Sequence, residues 1–161
     1  MRMNRMQTIV STLIIGCAVA GLMSLGACSS SPSIPDAGAM PAGGTFSGLW
    51  YSPQFEHMYL HQRGNKVEGA YAYGSGGRLQ GEVQGNMLVF TWEEPGDRQA
   101  ARRDMRGKGY LQLTMVGGEP ELRGQWGYNE AHAGAGPWEA EFVRERQDGD
   151  PTTIEGVLER H

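Results

Sequence analysis

The chain has 161 residues, enough for one modest domain. Its 14 Lys and Arg against 18 Asp and Glu give a net charge of −4, which argues against a general nucleic-acid-binding protein. With 39% hydrophobic residues and 25 glycines, it is too apolar for a disordered chain and too rich in glycine for a helical one. The composition predicts strands and turns.

The N-terminus has the pattern of an export signal. Arg2 and Arg5 precede an apolar run from Thr8 to Leu25, and neither segment contains an acid. A basic segment followed by an apolar one is typical of a signal peptide, which we predict over residues 1–27. A transmembrane anchor is the alternative, but it needs about 20 apolar residues and usually a basic flank on its cytoplasmic side.

The end of this signal resembles the lipobox of bacterial lipoproteins in the run Leu25-Gly26-Ala27-Cys28. The resemblance implies cleavage before Cys28, linkage of its thiol to diacylglycerol, and the lipid bilayer as a partner of the mature chain. Ser29 stands where the inner-membrane retention signal has Asp, so the resemblance also implies an outer-membrane anchor with the domain facing the periplasm. Without Arg2 and Arg5 the mature chain has 12 Lys and Arg against 18 Asp and Glu, a net charge of −6.

Three segments follow the signal. Residues 28–45 are rich in Ser, Pro, Gly and Ala, a composition that predicts a flexible tether. Residues 46–146 form the predicted domain, and residues 147–161 form a charged tail. Three apolar residues between 154 and 158 have helical spacing, which indicates either a short helix packed on the domain or a frayed end.

Within the domain, apolar and polar residues alternate with a period of two between glycine-rich breaks, which predicts strands. Short turns make consecutive strands antiparallel neighbours, so we predict an all-β, up-and-down meander of about eight short strands, closed as a small barrel. The predicted strands are 46–51, 57–62, 67–73, 78–83, 87–94, 109–115, 121–128 and 138–144.

A unit of the form apolar-x-Gly-x-apolar occurs four times in the domain. The copies are Phe46-Ser47-Gly48-Leu49-Trp50, Val67-Glu68-Gly69-Ala70-Tyr71, Leu79-Gln80-Gly81-Glu82-Val83 and Leu122-Arg123-Gly124-Gln125-Trp126. Each glycine shares a face with the two bulky residues, leaves room for a neighbouring ring and lets the strand bend. An eight-stranded barrel has an interior that is filled by side chains or holds one small ligand. Avidin-like and lipocalin-like up-and-down barrels have a layout that resembles the order Gly48-x-Trp50, Gly69-x-Tyr71, Phe90-x-Trp92, Gly124-x-Trp126 and Trp138-x-Ala140.

Alternation assigns the large apolar residues to the barrel interior and the charged ones to a solvated outer wall. The predicted interior set is Met58, Leu60, Val67, Tyr71, Tyr73, Leu79, Val83, Leu88, Phe90, Trp92, Leu111, Leu113, Met115, Leu122, Trp126, Tyr128, Trp138, Ala140 and Phe142. The outer set is His57, His61, Glu68, Arg78, Gln80, Glu82, Gln112, Glu121, Arg123, Glu139 and Glu141.

Five aromatic residues are candidates for a ligand site in the lumen: Trp50, Tyr71, Trp92, Trp126 and Trp138. Large aromatic residues of this kind usually form the core of a small barrel. If the barrel is open at one end, the same residues would line an apolar pocket. The recurrent glycines leave space that side chains can occupy, which favours a filled core.

The segment 95–108 is the longest interruption between strands and holds five of the twelve mature cations. Arg98, Arg102, Arg103 and Arg106 are therefore candidates for contact with an anionic partner. The alternative is a flexible loop with a helical turn or two capped by Asp97, and this alternative is favoured.

The sequence contains no pattern that indicates an enzyme. Four acids near the loop, Glu93, Glu94, Asp97 and Asp104, could act as paired carboxylates, but such a group is more often a solvated rim. No Ser, Cys or Lys stands in a recognisable nucleophile turn. His57 and His61 would lie about 13 Å apart on a strand. We therefore predict no catalytic residue, no metal site and no cofactor.

The resulting functional hypothesis is a membrane-anchored, non-enzymatic envelope lipoprotein. Its barrel would act as a binding module for a small apolar ligand or a protein partner. The alternative is an exported inhibitor or assembly factor acting on an envelope protein such as a lysozyme, a protease or a secretion component, because the pattern also resembles the small barrel inhibitors that bacteria export. An enzyme built in the barrel lumen is a third and weaker class.

Overall fold

The computed structural model describes residues 33–96 and 101–161. The lipidation candidate Cys28, the neighbouring Ser29 and the predicted signal lie outside these residues. The elements are β1 (Gly48–Ser52), β2 (Glu56–Arg63), β3 (Lys66–Tyr71), β4 (Gly77–Gln84), β5 (Met87–Glu94), β6 (Met105–Val116), β7 (Glu119–Tyr128), β8 (Gly136–Arg144) and the helix α1 (Ile154–Leu158). No helix in the described part of the chain is long and apolar enough to cross a membrane.

The eight strands form one closed antiparallel barrel. Each strand pairs with the next along the chain, and β1 pairs with β8 to close it. The predicted all-β up-and-down barrel is therefore confirmed. The proximal end carries the turns 64–65, 85–86 and 117–118, and the distal end carries the connections 53–55, 72–76, 95–104 and 129–135.

The main correction to the strand bounds concerns β6, which begins at Met105 rather than at residue 109. Glu94 pairs with Met105, Glu93 with Arg106 and Thr91 with Lys108. Because β5 continues to Glu94, its backbone offers partners to these residues, and they extend the ladder. The predicted loop of residues 95–108 is thus a connection of residues 95–104, and the proposed cap Asp97 lies outside the described residues.

Inward side chains fill the barrel. Trp50, Tyr71 and Trp138 are fully buried, together with Met58, Leu60, Leu88, Leu111, Leu113 and Leu122. The prediction that Tyr73, Met115 and Tyr128 are interior is wrong, because all three are nearly half exposed. They lie at or beyond strand ends, where no further layer of side chains covers them.

Glycines make room for large side chains across the strands, as expected from the repeated unit. A Cβ at Gly48 would lie 2.8 Å from Phe142 Cε2, and one at Gly81 would lie 2.7 Å from Phe90 Cβ. The tightest ring contacts involve glycines outside the repeated unit. A Cβ at Gly77 would lie 2.1 Å from Tyr71 Cζ, and one at Gly109 would lie 2.5 Å from Phe90 Cζ.

The outer wall is less solvated than predicted, because two apolar patches on it are covered. Leu49, Tyr59, Ala70 and Ala72 are buried in one cluster with Val157 of α1. Met87, Tyr110 and Ala133 form a second cluster, against which Ile34 and Val89 pack. The barrel therefore has two small outer cores, to which a tail residue and an N-terminal residue contribute.

Both terminal segments are attached to the barrel by polar contacts. Of the predicted tether 28–45, the described residues 33–45 lie along it: Gly38 N–H donates to Asn86 Oδ1 (2.7 Å), and Asn86 N–H donates to the Gly38 carbonyl (3.0 Å). In the tail, the Arg144 guanidinium donates to both carboxylate oxygens of Asp150, at 2.9 and 2.8 Å. The tail forms the short packed helix, one of the two predicted alternatives.

Candidate functional site

An open cavity of about 320 Å³ lies at the distal end of the barrel. We refer to it as the distal cavity. Its lining residues are Gln54, Phe55, Tyr73, Trp92, Glu94, Met105, Trp126, Tyr128, Ala135, Gly136 and Pro137. These residues come from the consecutive paired strands β5, β6, β7 and β8 and from the connections, and barrel closure adds Gln54 and Phe55 of the β1–β2 connection to them. The volume is that of a small-molecule site at the lower end of the usual range.

Aromatic rings form most of the cavity wall and meet at steep angles. The Trp92 and Trp126 ring centroids are 5.5 Å apart at 81°, and those of Trp126 and Tyr128 are 5.1 Å apart at 75°. Phe55 lies 5.7 Å from Trp126 at 81°. The Trp92 indole N–H donates to the Gly127 carbonyl (3.2 Å), which holds this ring in place. The wall is therefore rigid on the Trp92 side.

A single carboxyl group enters this aromatic wall. Glu94 is only 4% exposed, and the Tyr71 hydroxyl donates to its Oε1 at 3.1 Å. Burial raises the pKa of Glu94, whereas the Tyr71 hydrogen bond and the positive charge of Arg102 act in the opposite direction. Burial and the adjacent carboxyl raise the pKa of Tyr71, so its phenol remains a protonated donor.

The assignment of Glu94 to a solvated rim is wrong. In β5 the buried residues Leu88, Phe90, Trp92 and Glu94 alternate with less buried ones, so Glu94 continues the inward face. The period of two along β5 indicated that the Glu94 side chain points inward. An ionisable side chain is usually exposed, however, and the buried partner Tyr71 lies 23 residues away in the sequence.

The structure divides the five lumen candidates into two groups. Trp50 and Trp138 are core residues, since their indole N–H groups donate to the Phe46 carbonyl (3.0 Å) and to Met58 Sδ (3.1 Å). Tyr71 is also fully buried and contributes to the site through Glu94. Only Trp92 and Trp126 line the distal cavity.

Three aromatic residues of the cavity were not among the site candidates. Tyr73 and Tyr128 were assigned to the interior, and Phe55 falls in the connection between β1 and β2. Their positions at strand ends and in a turn place them at the open mouth. Alternation within a strand carries no information about which strand ends meet around a closed barrel.

The candidate arginines do not lie in one arrangement. Arg98 is outside the described residues. Arg102 is partly buried and donates from Nη2 to the Ser75 hydroxyl, whereas Arg103 is exposed. Arg106 lies on β6 and lines a second cavity of about 770 Å³, next to the distal cavity, together with Arg78, Glu93, Glu94 and Asp104. Arg106 is thus a strand residue rather than part of the loop.

Another groove, of about 600 Å³, lies on the outer wall across β2 to β5. Its charged side chains pair with one another: Lys66 with Glu82, and Arg63 with Glu68. Because these pairs are largely exposed and satisfy their own charges, the groove offers a ligand little that water does not. The distal cavity is therefore the stronger candidate site.

The histidines have structural contacts rather than a common ligand. His57 and His161 stack with ring centroids 3.9 Å apart at 5°, and His161 Nε2 lies 3.1 Å from the Tyr59 hydroxyl. Within residues 33–96 and 101–161, no group of three His, Cys, Asp or Glu side chains could hold a metal ion. The His57–His161 pairing attaches the tail to the outer wall.

The protein is a filled eight-stranded up-and-down barrel with a cavity at one end. Among the described residues, the cavity is lined by five aromatic residues and one carboxyl group. In comparisons with known proteins, no family model, curated protein or solved structure matches this chain. The chemistry of the distal cavity is therefore what indicates the function of the protein.

Proposed function

We propose that this protein is a non-enzymatic binding protein of the bacterial cell envelope, anchored through a lipid on Cys28 in the outer membrane and facing the periplasm. The distal cavity is the site at which it binds a small ligand. The anchor is supported by the lipobox-like run that ends at Cys28.

The observation that carries the binding proposal is the exposure of aromatic side chains around one cavity. Tyr73 is 45% exposed and Tyr128 is 49% exposed, although the interior beneath them is filled. Clustered exposed apolar surface in a small domain usually marks an interaction site. A cavity with aromatic walls and a few polar groups is the common form of a small-molecule site.

The experiment is a binding titration of the chain from residue 29 onward, which contains every residue that the structure describes. The probe is N-phenyl-1-naphthylamine, a neutral apolar fluorophore. We expect saturable binding with quenching of tryptophan emission, because two of the four tryptophans line the cavity. Absence of binding by this probe and by the organic cation used below would contradict the proposal.

A matched pair of variants localises the binding. Tyr128→Ala removes a cavity residue that is 49% exposed, and Tyr51→Ala removes a residue of similar exposure, 44%, on the outer face of β1. We expect Tyr128→Ala to weaken probe binding several-fold and Tyr51→Ala to leave it unchanged. Equal effects of the two substitutions would place the probe elsewhere.

The second candidate function is the exported inhibitor or assembly factor. The same two tyrosines favour it, because exposed aromatic side chains are frequent anchors in protein interfaces. The two functions differ in ligand size. Native mass spectrometry of the chain after incubation with envelope extract would show an added mass of a few hundred daltons for a small ligand, and an added protein for the alternative.

A further inference from the structure

We propose that the ligand of the distal cavity is an organic cation, an ammonium group that carries alkyl substituents. The inference rests on the proposed function of this cavity and adds the chemical class of the ligand. It follows from the combination of aromatic walls with one buried carboxyl group.

Five aromatic residues form a wall of the cavity. Phe55, Tyr73, Trp92, Trp126 and Tyr128 all line the cavity. Neighbouring rings meet at steep angles, so the aromatic wall is not a single flat surface. Rings that surround a site attract a cation through their quadrupoles, and this is the usual recognition of alkylated ammonium groups.

The lining of the cavity also carries an acidic group. Among the described residues that line the cavity, Glu94 carries the only carboxyl group, and there is no Lys, Arg or His. Its Oε1 accepts the Tyr71 hydroxyl, and no hydrogen bond to Oε2 is found among the described residues. Burial raises the pKa of Glu94 and so disfavours its charged form; a bound cation would stabilise the carboxylate, whereas a neutral or anionic ligand would not.

No direct ion pair between Arg102 and Glu94 is found among the described residues, although the positive charge of Arg102 acts on the carboxyl group through space. Instead, the Arg102 guanidinium donates to the Ser75 hydroxyl. On the outer face of the same strand, Glu93 already has a partner, since Arg78 donates to its Oε2 at 2.6 and 3.1 Å. Glu94 is thus the acid that a bound cation would satisfy.

The test compares two ligands of the same shape. Choline carries a trimethylammonium group, and 3,3-dimethylbutan-1-ol is its neutral isostere. Each is titrated into the chain from residue 29 onward, with tryptophan emission and isothermal calorimetry as the readouts. We expect choline to bind about tenfold more tightly than the alcohol, the size of effect that a desolvated cation over aromatic rings provides.

The matched variants are Glu94→Gln and Glu93→Gln, which change the net charge equally at neighbouring positions. We expect Glu94→Gln to remove most of the preference for choline and Glu93→Gln to retain it. Circular dichroism tests whether each variant is folded. If Glu94→Gln does not fold, the comparison of the two ligands on the unchanged chain decides the inference.

The outcomes separate this inference from the proposed function. Equal affinity for choline and the alcohol, or tighter binding of the alcohol, overturns the cation inference and leaves a cavity that binds apolar ligands. A preference for choline that survives in Glu94→Gln overturns the role of this carboxyl group. No binding of choline, the alcohol or N-phenyl-1-naphthylamine overturns both proposals.

Discussion

Replacement of Gly77 by alanine tests whether the packing beneath the distal cavity is as tight as the structure shows. Gly77 lies on β4 opposite Tyr71 of β3. A Cβ at this position would lie 2.1 Å from Tyr71 Cζ and 2.3 Å from its hydroxyl oxygen. Tyr71 is fully buried, so its ring cannot move aside without disturbing the core.

The expected cost has two components. Overpacking of a filled core costs about 1–3 kcal/mol. Displacement of the Tyr71 hydroxyl from Glu94 leaves a buried carboxyl without its donor, which costs a further 1–3 kcal/mol or so. We therefore expect Gly77→Ala to lower the free energy of unfolding by about 2–6 kcal/mol. A domain of this size has about 5–15 kcal/mol, so all but the largest of these costs would leave the variant folded.

The assay is urea denaturation followed by tryptophan emission, with Gly136→Ala as the control. A Cβ at Gly136 would lie 3.2 Å from Trp126 Nε1, a contact that a small shift relieves, so we expect a change below about 1 kcal/mol.

Combining Gly77→Ala with Tyr71→Ala, which removes the ring, tests whether the ring causes the loss of stability. If the ring is the cause, Gly77→Ala should then cost less than about 1 kcal/mol. An undiminished cost in the Tyr71→Ala background would refute the packing argument.

Three further predictions concern the tail and the anchor. Val157→Asp places a charge in the buried outer cluster and should release the tail, seen as faster amide exchange over residues 150–161 with the strand amides unchanged; unchanged exchange in the tail would contradict this. Arg144 lowers the pKa of Asp150 from 3.8 to about 2. Because the folded pKa is the lower one, this stability, about 2 kcal/mol, is complete above pH 3.8 and is lost as the pH falls toward 2; equal acid sensitivity of Arg144→Ala in urea titrations would refute it. Cys28→Ser should abolish a diacylglycerol-sized mass increment on the mature N-terminus and move the protein from the membrane fraction to the soluble one, whereas retention in the membrane fraction would exclude the lipid as the anchor.

Strand positions were predictable because side-chain direction alternates locally along a strand. The inward series of β5 and the glycine-containing turns follow from that rule alone, and short turns then force a meander. The repeated glycine unit correctly indicated that close contacts across strands need glycine. The tightest ring contacts, at Gly77 and Gly109, depend on the register between neighbouring strands, which the pattern within one strand does not determine.

The site was less predictable, because its members come from several elements that only strand register and barrel closure bring together. Phe55, Trp92 and Trp126 come from separate elements whose ends meet at the distal mouth. Glu94 was assigned to solvent because an acid is normally exposed, and its burial depends on Tyr71, which the chain brings to it from β3.

Local alternation and turn composition in the amino-acid sequence were thus sufficient for the strands, their antiparallel order and the small barrel, since each depends on residues close in the chain. The lipobox-like run before Cys28 is equally local. The open aromatic mouth, the buried carboxyl of Glu94 and the outer core beneath Val157 emerge only from the folded chain. Each of them depends on contacts between residues far apart in sequence, and those contacts exist only once strand register and closure are set.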